Sequence, residues 1–363
     1  MNNTNIKQAL PYVLSLGVLG SGIFMYYKVP VQEKAETQSV TFIDAGFDTV
    51  INFSTKCTPT EFNKYSKIVR ETFSQYNQYF DLYNAYPGVN NVYALNQGNS
   101  SLKVDSPLIE CIELAQMIHQ QNEKFDICQG KLLHVWHTYR EEGISLNAEG
   151  KDGNLPSPSE LDGAYNSTGS LQIEGNTISL DPNVELDLGG IAKGYTAQKV
   201  KEILLENGCD NGYINAGGNV VLLSEKEDGS SWNIGVQDPD SSASLLSISS
   251  KEPTSLVTSG DYQRFYTVNK KRYGHIIDPD TKYPATNFRS VTILYEDSAL
   301  ADAYSTLLFT MDLESGKKFA QEHNLEVVWV MDQDKATALP EFSTSKYAIY
   351  CTNSLIERIQ IHE

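Results

Sequence analysis

Two adjacent glycines, Gly189 and Gly190, separate an apolar run from a helix-forming stretch in Glu185–Val200, ELDLGGIAKGYTAQKV. A chain that turns here brings bare backbone close to whatever lies at the mouth of the following helix, because no side chain intervenes. Helix N-termini favour phosphate, and Lys193 adds a positive charge one turn in. Yet the segment has neither the G-x-G-x-x-G spacing of a dinucleotide fold nor the lysine-containing spacing of a P-loop. A tight strand-to-helix turn with a solvated lysine explains the glycines as well as a phosphate site does.

The flanking sequence narrows the fold. SVTFIDAGFDTVINF reads as a first strand or hairpin. Thr58, Pro59 and Glu61 form a helix start with a capping box, and Phe62, Tyr65, Val69, Phe73 and Tyr76 form its apolar stripe. A second helix is expected with Ser106 as its cap and Pro107 at its first position. The Asn- and aromatic-rich stretch between these helices reads as a loop, and Gly150–Gly169 as a surface excursion. Ile191–Glu206 is a helix stopped by Gly208. GYINAGGNVVLL is strand, glycine turn, strand, and SVTILYEDSALADAYSTLLFTM is strand, then helix, with LEVVWVMD a late strand. There is no regular βαβ rhythm, so the class is α+β rather than a doubly wound sheet.

The N-terminus points to a membrane. Ala9–Tyr27 carries no charge, approaches the length of a transmembrane span and exceeds a usual signal core. Bulky Phe24, Met25, Tyr26 and Tyr27 replace a cleavable ending, and no lipid-accepting cysteine follows, the first being Cys57. Residues 1–28 are expected as an uncleaved signal anchor, with cleavage near Gly20–Gly22 the alternative. Residues 29–38 read as a polar tether, and 39–363 as a folded domain outside the cytoplasmic membrane. A net charge of −18 argues against a nucleic-acid partner. The five scattered cysteines have no CxxC spacing, which disfavours zinc and redox motifs and makes most of them small core residues, with one disulfide possible.

Two further constellations carry chemistry. His275, in YGHIIDPDTKYPATN, stands at a strand end beside a turn, where sites are often built. Asp302 and Thr306, four apart on a helix, share a face and offer hard oxygen ligands suited to Mg²⁺ rather than zinc. Each feature alone has an ordinary structural explanation: a satisfied histidine, or a solvated helix face.

The ordered set does not. LDLGGIAKGY, GYINAGGNV, TSGDYQRFY, HIIDPDTKYP and SALADAYSTLLF resemble the ApbE-type flavin transferases, the FAD:protein FMN transferases. The similarity continues upstream through GFDTVINF, YALN and KFDICQGKLLHVW, and covers nearly the whole chain after the tether. The resemblance implies a two-lobed α+β fold of the T-fold type, with FAD in the cleft beside Mg²⁺ or Ca²⁺. It further implies that FMN passes from FAD to a threonine or serine hydroxyl of an exported acceptor protein, with release of AMP. The Gly190 carbonyl, Asp302 and Thr306 would hold the metal. Asp187, Lys193 and Ile276 would contact FAD, as would Phe125, Asp126 and, by a weaker analogy, Phe47. For those last three a structural role explains the residue equally well. His275 takes the place of the general base, which a poorly nucleophilic hydroxyl needs.

Two departures stand out. Lys282 occupies a turn position where the family often has glycine, which implies a differently shaped loop, and Cys128 replaces a small or hydroxyl residue. Two other functions stay open at this level. Water in place of threonine would make an FAD pyrophosphatase, and loss of chemistry would leave a flavin-binding protein, against which the intact His275, Asp302 and Thr306 argue.

Overall fold

The strand Ile51–Cys57 ends at Thr58, whose hydroxyl accepts a hydrogen bond from the Glu61 amide at 3.3 Å while the Glu61 carboxylate accepts from the Thr58 amide at 2.9 Å. This capping box and Pro59 start helix α1, Pro59–Phe80, which buries Tyr65, Val69 and Phe73 as its stripe requires. The computed structural model describes residues 33–98, 101–336 and 338–362, so the expected anchor at 1–28 lies outside the described residues. Among the described residues no helix is long and apolar enough to cross a membrane. The first strand begins at Glu36, inside the stretch read as tether.

Among the described residues seven more α-helices follow: α2 Val92–Asn96, α3 Ser106–Gln121, α4 Gly130–Ala148, α5 Pro158–Ala164, α6 Ala192–Glu206, α7 Ser298–Thr310 and α8 Leu313–Glu322. Three local readings change. The cap position of α3 is Asp105, with Ser106 already in the helix. The Asn-rich stretch contains α2, capped by Asn91 through the Ala94 amide at 3.0 Å. The surface excursion holds α5, started by a second capping box from Ser157 and Glu160. The sequence offered those caps, but no long apolar stripe drew attention to such short helices.

The centre is a nine-stranded sheet. Its order is Glu36–Phe42, Ile51–Cys57, Tyr213–Ala216, Asn219–Leu222, Ser255–Gly260, Ser290–Tyr295, Glu326–Asp332, Tyr347–Cys351, Phe342–Ser343. Every pairing in it is antiparallel, as α+β implies. Alternate residues face opposite layers. Val257, Val291, Ile293, Val327 and Trp329 share a core with Ala303, Leu307 and Leu308 of α7. Leu256, Leu294, Val328 and Val330 pack instead against Ile234, Val236, Leu246 and Ile248 of a smaller three-stranded sheet.

A satellite core of Leu132, Trp136, Leu161, Tyr266, Val268 and Ile277 ties α4 and α5 to the hairpin Phe265–Val268/Lys271–Gly274. In place of the expected two lobes, residues Ala35–Glu363 form one compact unit in which this satellite is the smallest of four core clusters.

Helices α6 and α7 touch backbone to backbone. A Cβ on Gly194 would lie 2.2 Å from the Ser298 carbonyl oxygen and 2.5 Å from Asp302 Cβ. Gly194→Ala should cost about 1–3 kcal/mol or more by forcing the helices apart. Thermal unfolding checks this, and an alanine variant as stable as the parent would mean that the crossing is loosely packed.

Neighbouring strand ends of the central sheet are tied by charge. Arg289 is buried and donates from Nε to Asp261 at 3.1 and 3.2 Å, and from its terminal nitrogens to Asp332 at 3.1 Å and Asp240 at 3.0 Å. Against the cost of its own burial, the Tyr347 hydroxyl, donating at 2.7 Å, together with Arg289 and Arg272 holds Asp240 down to about 2. Arg289→Leu leaves the Asp261 carboxylate, whose burial already raises its pKa, with Arg272 at 3.3 Å as its remaining ion pair. The variant should lose about 3–5 kcal/mol in denaturant titrations, the usual cost of breaking a buried ion pair by removing one partner.

Candidate active site

Leu188 leads into the glycine turn, and α6 begins without a side-chain cap of its own, its cap position being Ile191. The missing acceptor comes from α7. Asp302, almost fully buried, accepts from the Gly194 amide at 2.8 Å through Oδ2. Its Oδ1 lies 3.7 Å from Lys193 Nζ. Asp302 is thus a tertiary cap for α6, placed where a negative charge suits the helix dipole.

Gly190 is close to the same helix. A Cβ there would stand 3.1 Å from the Phe125 ring, 3.2 Å from Thr306 Cγ2 and 3.4 Å from Thr306 Oγ1. The two residues read as metal ligands with Asp302 are therefore neighbours, and Asp302 sits one turn away on α7. Ser259, at the end of the strand Ser255–Gly260, adds a hydroxyl 3.4 Å from Thr306 Oγ1 and 2.8 Å from Ser305 Oγ. Sequence reasoning passed over Ser259, although it lies in the matched stretch TSGDYQRFY.

The expected flavin-contact residues divide. Lys193 faces the carboxylate as described. Asp187 folds back so that Oδ1 accepts from the Gly189 amide at 2.7 Å, and burial raises its pKa. Phe125 is a buried wall of the turn. The Asp126 carboxylate accepts from the Cys128 amide at 2.8 Å and the Gln129 side chain at 2.7 Å, which shapes the entry to α4. Ile276 is buried, and its carbonyl accepts from the Ala285 amide at 2.9 Å. Phe47 adopts a left-handed backbone (φ 60°) and packs between Phe73 and Phe80, with ring centroids at 6.2 and 6.3 Å.

His275 follows the strand Lys271–Gly274 directly, and its Nδ1 is buried with no hydrogen-bond partner. Burial pushes its pKa down to about 3, helped by the positive charges of Arg264, Arg140 and Lys193. It is neutral at physiological pH. The same two arginines, with His137, act on Asp187. None of these was singled out from the sequence. Helix α4 bears His137 and Arg140 on residues whose apolar pattern is weak, so the helix itself went unread.

The departures are absorbed. Lys282 adopts φ 64°, the left-handed conformation glycine would supply, so the turn keeps that shape at a small backbone cost. Its amide donates to the Asp278 carbonyl at 2.8 Å, its carbonyl accepts from Trp136 at 2.8 Å, and its ammonium pairs with Asp162. All five cysteines are free thiols, and burial pushes Cys128 up to about 12, so it is protonated and inert.

The sequence profile of the ApbE family matches residues 47–329. A Klebsiella pneumoniae (strain 342) protein named FAD:protein FMN transferase is 30% identical over 276 residues, 72% of this chain and 82% of that protein. A protein of the same name from Vibrio cholerae serotype O1 is 31% identical over 227 residues, 61% of this chain and 65% of the relative. Among solved structures, the ApbE protein of Thermotoga maritima superposes with a TM-score of 0.71 at 27% identity, over 82% of this chain and 94% of that one.

Proposed function

This chain belongs to the ApbE family and is a transferase of that family, and we propose that it moves FMN from FAD to a threonine or serine hydroxyl of an acceptor protein. The observation that carries the reading is the meeting of Gly190, Thr306 and Asp302 at the start of α6. The donor set there, a backbone carbonyl, a hydroxyl and one carboxylate, fits a hard divalent cation such as Mg²⁺ or Ca²⁺. When bound, such a cation neutralises phosphate charge in phosphoryl transfer.

The chain's own groups supply the rest. The bare Gly189–Gly190 turn and the α6 N-terminus receive the pyrophosphate, and Lys193 offsets its charge. Asp187, Phe125, Asp126, Ile276 and Phe47 line or support the flavin side. The acceptor oxygen bonds to the FMN phosphorus as the P–O bond to AMP breaks. His275 takes the hydroxyl proton, for which its neutral state at physiological pH is suited.

We further propose that residues 1–28 anchor the protein in the cytoplasmic membrane with the domain outside it, so that the acceptor is an exported protein. The support is the uncharged run Ala9–Tyr27.

Incubation with FAD, with and without exported proteins from cells lacking the gene, tests the activity. Covalent FMN on a threonine or serine, read by mass spectrometry, supports transfer. Free FMN and AMP alone would make the protein a pyrophosphatase, and no AMP at all would leave a binding protein. External protease on intact cells tests the topology, and mature protein beginning near Ser21 in the medium would refute the anchor.

A further inference from the structure

We propose that Arg140 and Arg264 form a two-arginine clamp for the pyrophosphate of the flavin substrate beside His275, an inference that rests on the transferase reading above. Their meeting is built by packing. Tyr266 lies in a slot that two glycines leave open, since a Cβ on Gly143 or Gly153 would come within 2.2 or 2.6 Å of its ring. Asn147 locks the same strand to α4, accepting from the Thr267 amide at 2.6 Å and donating to its carbonyl at 2.9 Å. Residues 140, 143 and 147 share one face of the helix. Arg140 is therefore one turn from the point where the strand Phe265–Val268 docks, and Arg264 is the residue just before that strand.

Register brings the histidine to the same place. Phe265 pairs with Gly274, so the next step of the ladder sets Arg264 opposite His275. The electrostatics agree with this geometry, because both guanidinium groups act on His275, Asp187 and the Tyr83 phenol.

The two arginines are short of counter-charge. Arg140 is largely buried, 12% exposed, and its terminal nitrogen donates at 2.7 Å to Nδ1 of His137, a neutral acceptor. The carboxylate paired with it, Glu141, is exposed and lies 3.5 Å from Nε, and the buried Asp187 is the one counter-charge that both arginines share. Arg264 forms no ion pair of its own among the described residues, although the chain has a net charge of −18. Two like charges that share the single carboxylate of Asp187 keep a net positive charge, which favours an arriving anion. Guanidinium forks match phosphate oxygens in pairs, and lysine does not. A polyanion whose reacting phosphorus must come near His275 is the ligand that satisfies all of these groups.

The test uses the full chain and two readouts. The first is calorimetric affinity for inorganic pyrophosphate in Mg²⁺ buffer, for the parent, Arg264→Gln and Arg140→Gln. Each variant should bind roughly tenfold to a hundredfold more weakly, the usual loss for a hydrogen bond to a charged group. The second is covalent flavin on an acceptor over time. Its turnover rate should fall by roughly 10²–10³-fold, as when one preorganised donor is removed from a developing charge. Arg264→Lys should recover part of the affinity and little of the rate.

Unchanged pyrophosphate affinity in both variants overturns the clamp and leaves the transferase reading intact. So does a loss confined to the KM for the acceptor protein, which would turn Arg264 toward that partner instead. A parent protein that binds pyrophosphate through these arginines but transfers no FMN would refute the transferase and keep the anion site. Because Arg140 is packed, its melting temperature is compared with the parent's. The exposed Arg264 decides the matter if Arg140→Gln unfolds.

Discussion

Replacing His275 by alanine should lower the rate of flavin transfer by roughly 10²–10⁴-fold while FAD still binds. The argument starts from the imidazole's surroundings. Burial and the charges of Arg264, Arg140 and Lys193 hold its pKa at about 3, well below the ordinary value of about 6.5. A depressed pKa leaves the base deprotonated at every pH above that value, so His275 itself imposes no acid limb on kcat/KM near neutrality. Bound FAD brings negative charge to the same cations and offsets them, which raises the imidazole's pKa. The acid limb of kcat should therefore lie at higher pH than that of kcat/KM, since the first reports the substrate complex and the second the free enzyme. In the alanine variant both limbs assigned to this group should vanish, and the deficit should shrink at high pH as hydroxide substitutes. Flavin fluorescence gives the affinity and acceptor labelling the rate. An alanine variant that fails to bind FAD would make His275 a binding residue, and an unchanged rate would remove it from the chemistry.

Asp302→Asn should reduce Mg²⁺-dependent transfer by about 10³-fold or more, the equivalent of several kcal/mol of charge stabilisation. Asparagine is the sharper substitution because Asp302 has two tasks. Its Oδ2 accepts from the Gly194 amide, and alanine would remove that cap together with the charge. Losing a cap costs about 0.5–2 kcal/mol, so Asp302→Ala should melt earlier as well as lose activity. An amide oxygen can still accept from Gly194, which keeps α6 in place while removing the negative charge. Activity titrated against Mg²⁺, with the melting temperature as a control, separates the two effects. Full activity of the asparagine variant at ordinary Mg²⁺ would exclude the carboxylate from the metal site.

Much of this was legible before any coordinates. The α1 capping box, the glycine hairpin Tyr213–Leu222, the end of α6 at Gly208 and the strand-then-helix around Asp302 depend on contacts within a few residues, and sequence records such contacts directly. The candidate metal ligands followed from spacing on α7 together with resemblance. What stayed hidden depends on distant partners. Helix α4 is 19 residues long, yet only Gly130, Leu132, Trp136 and Gly143 along it are buried, so its apolar periodicity is faint. Arg140 and Arg264 are 124 positions apart and meet only because Tyr266 fits the Gly143 slot. Lys282 illustrates the reverse error: a residue that suggested an altered loop takes up the left-handed backbone and is held there by Asp278, Trp136 and Asp162.

Gly194 has a mechanical consequence. With only a hydrogen between two main chains, the gap separating the lysine-bearing helix from the carboxylate-bearing one is fixed by backbone contact rather than by adjustable side chains. The pair behaves as a rigid jaw whose opening changes when the glycine itself gains a side chain.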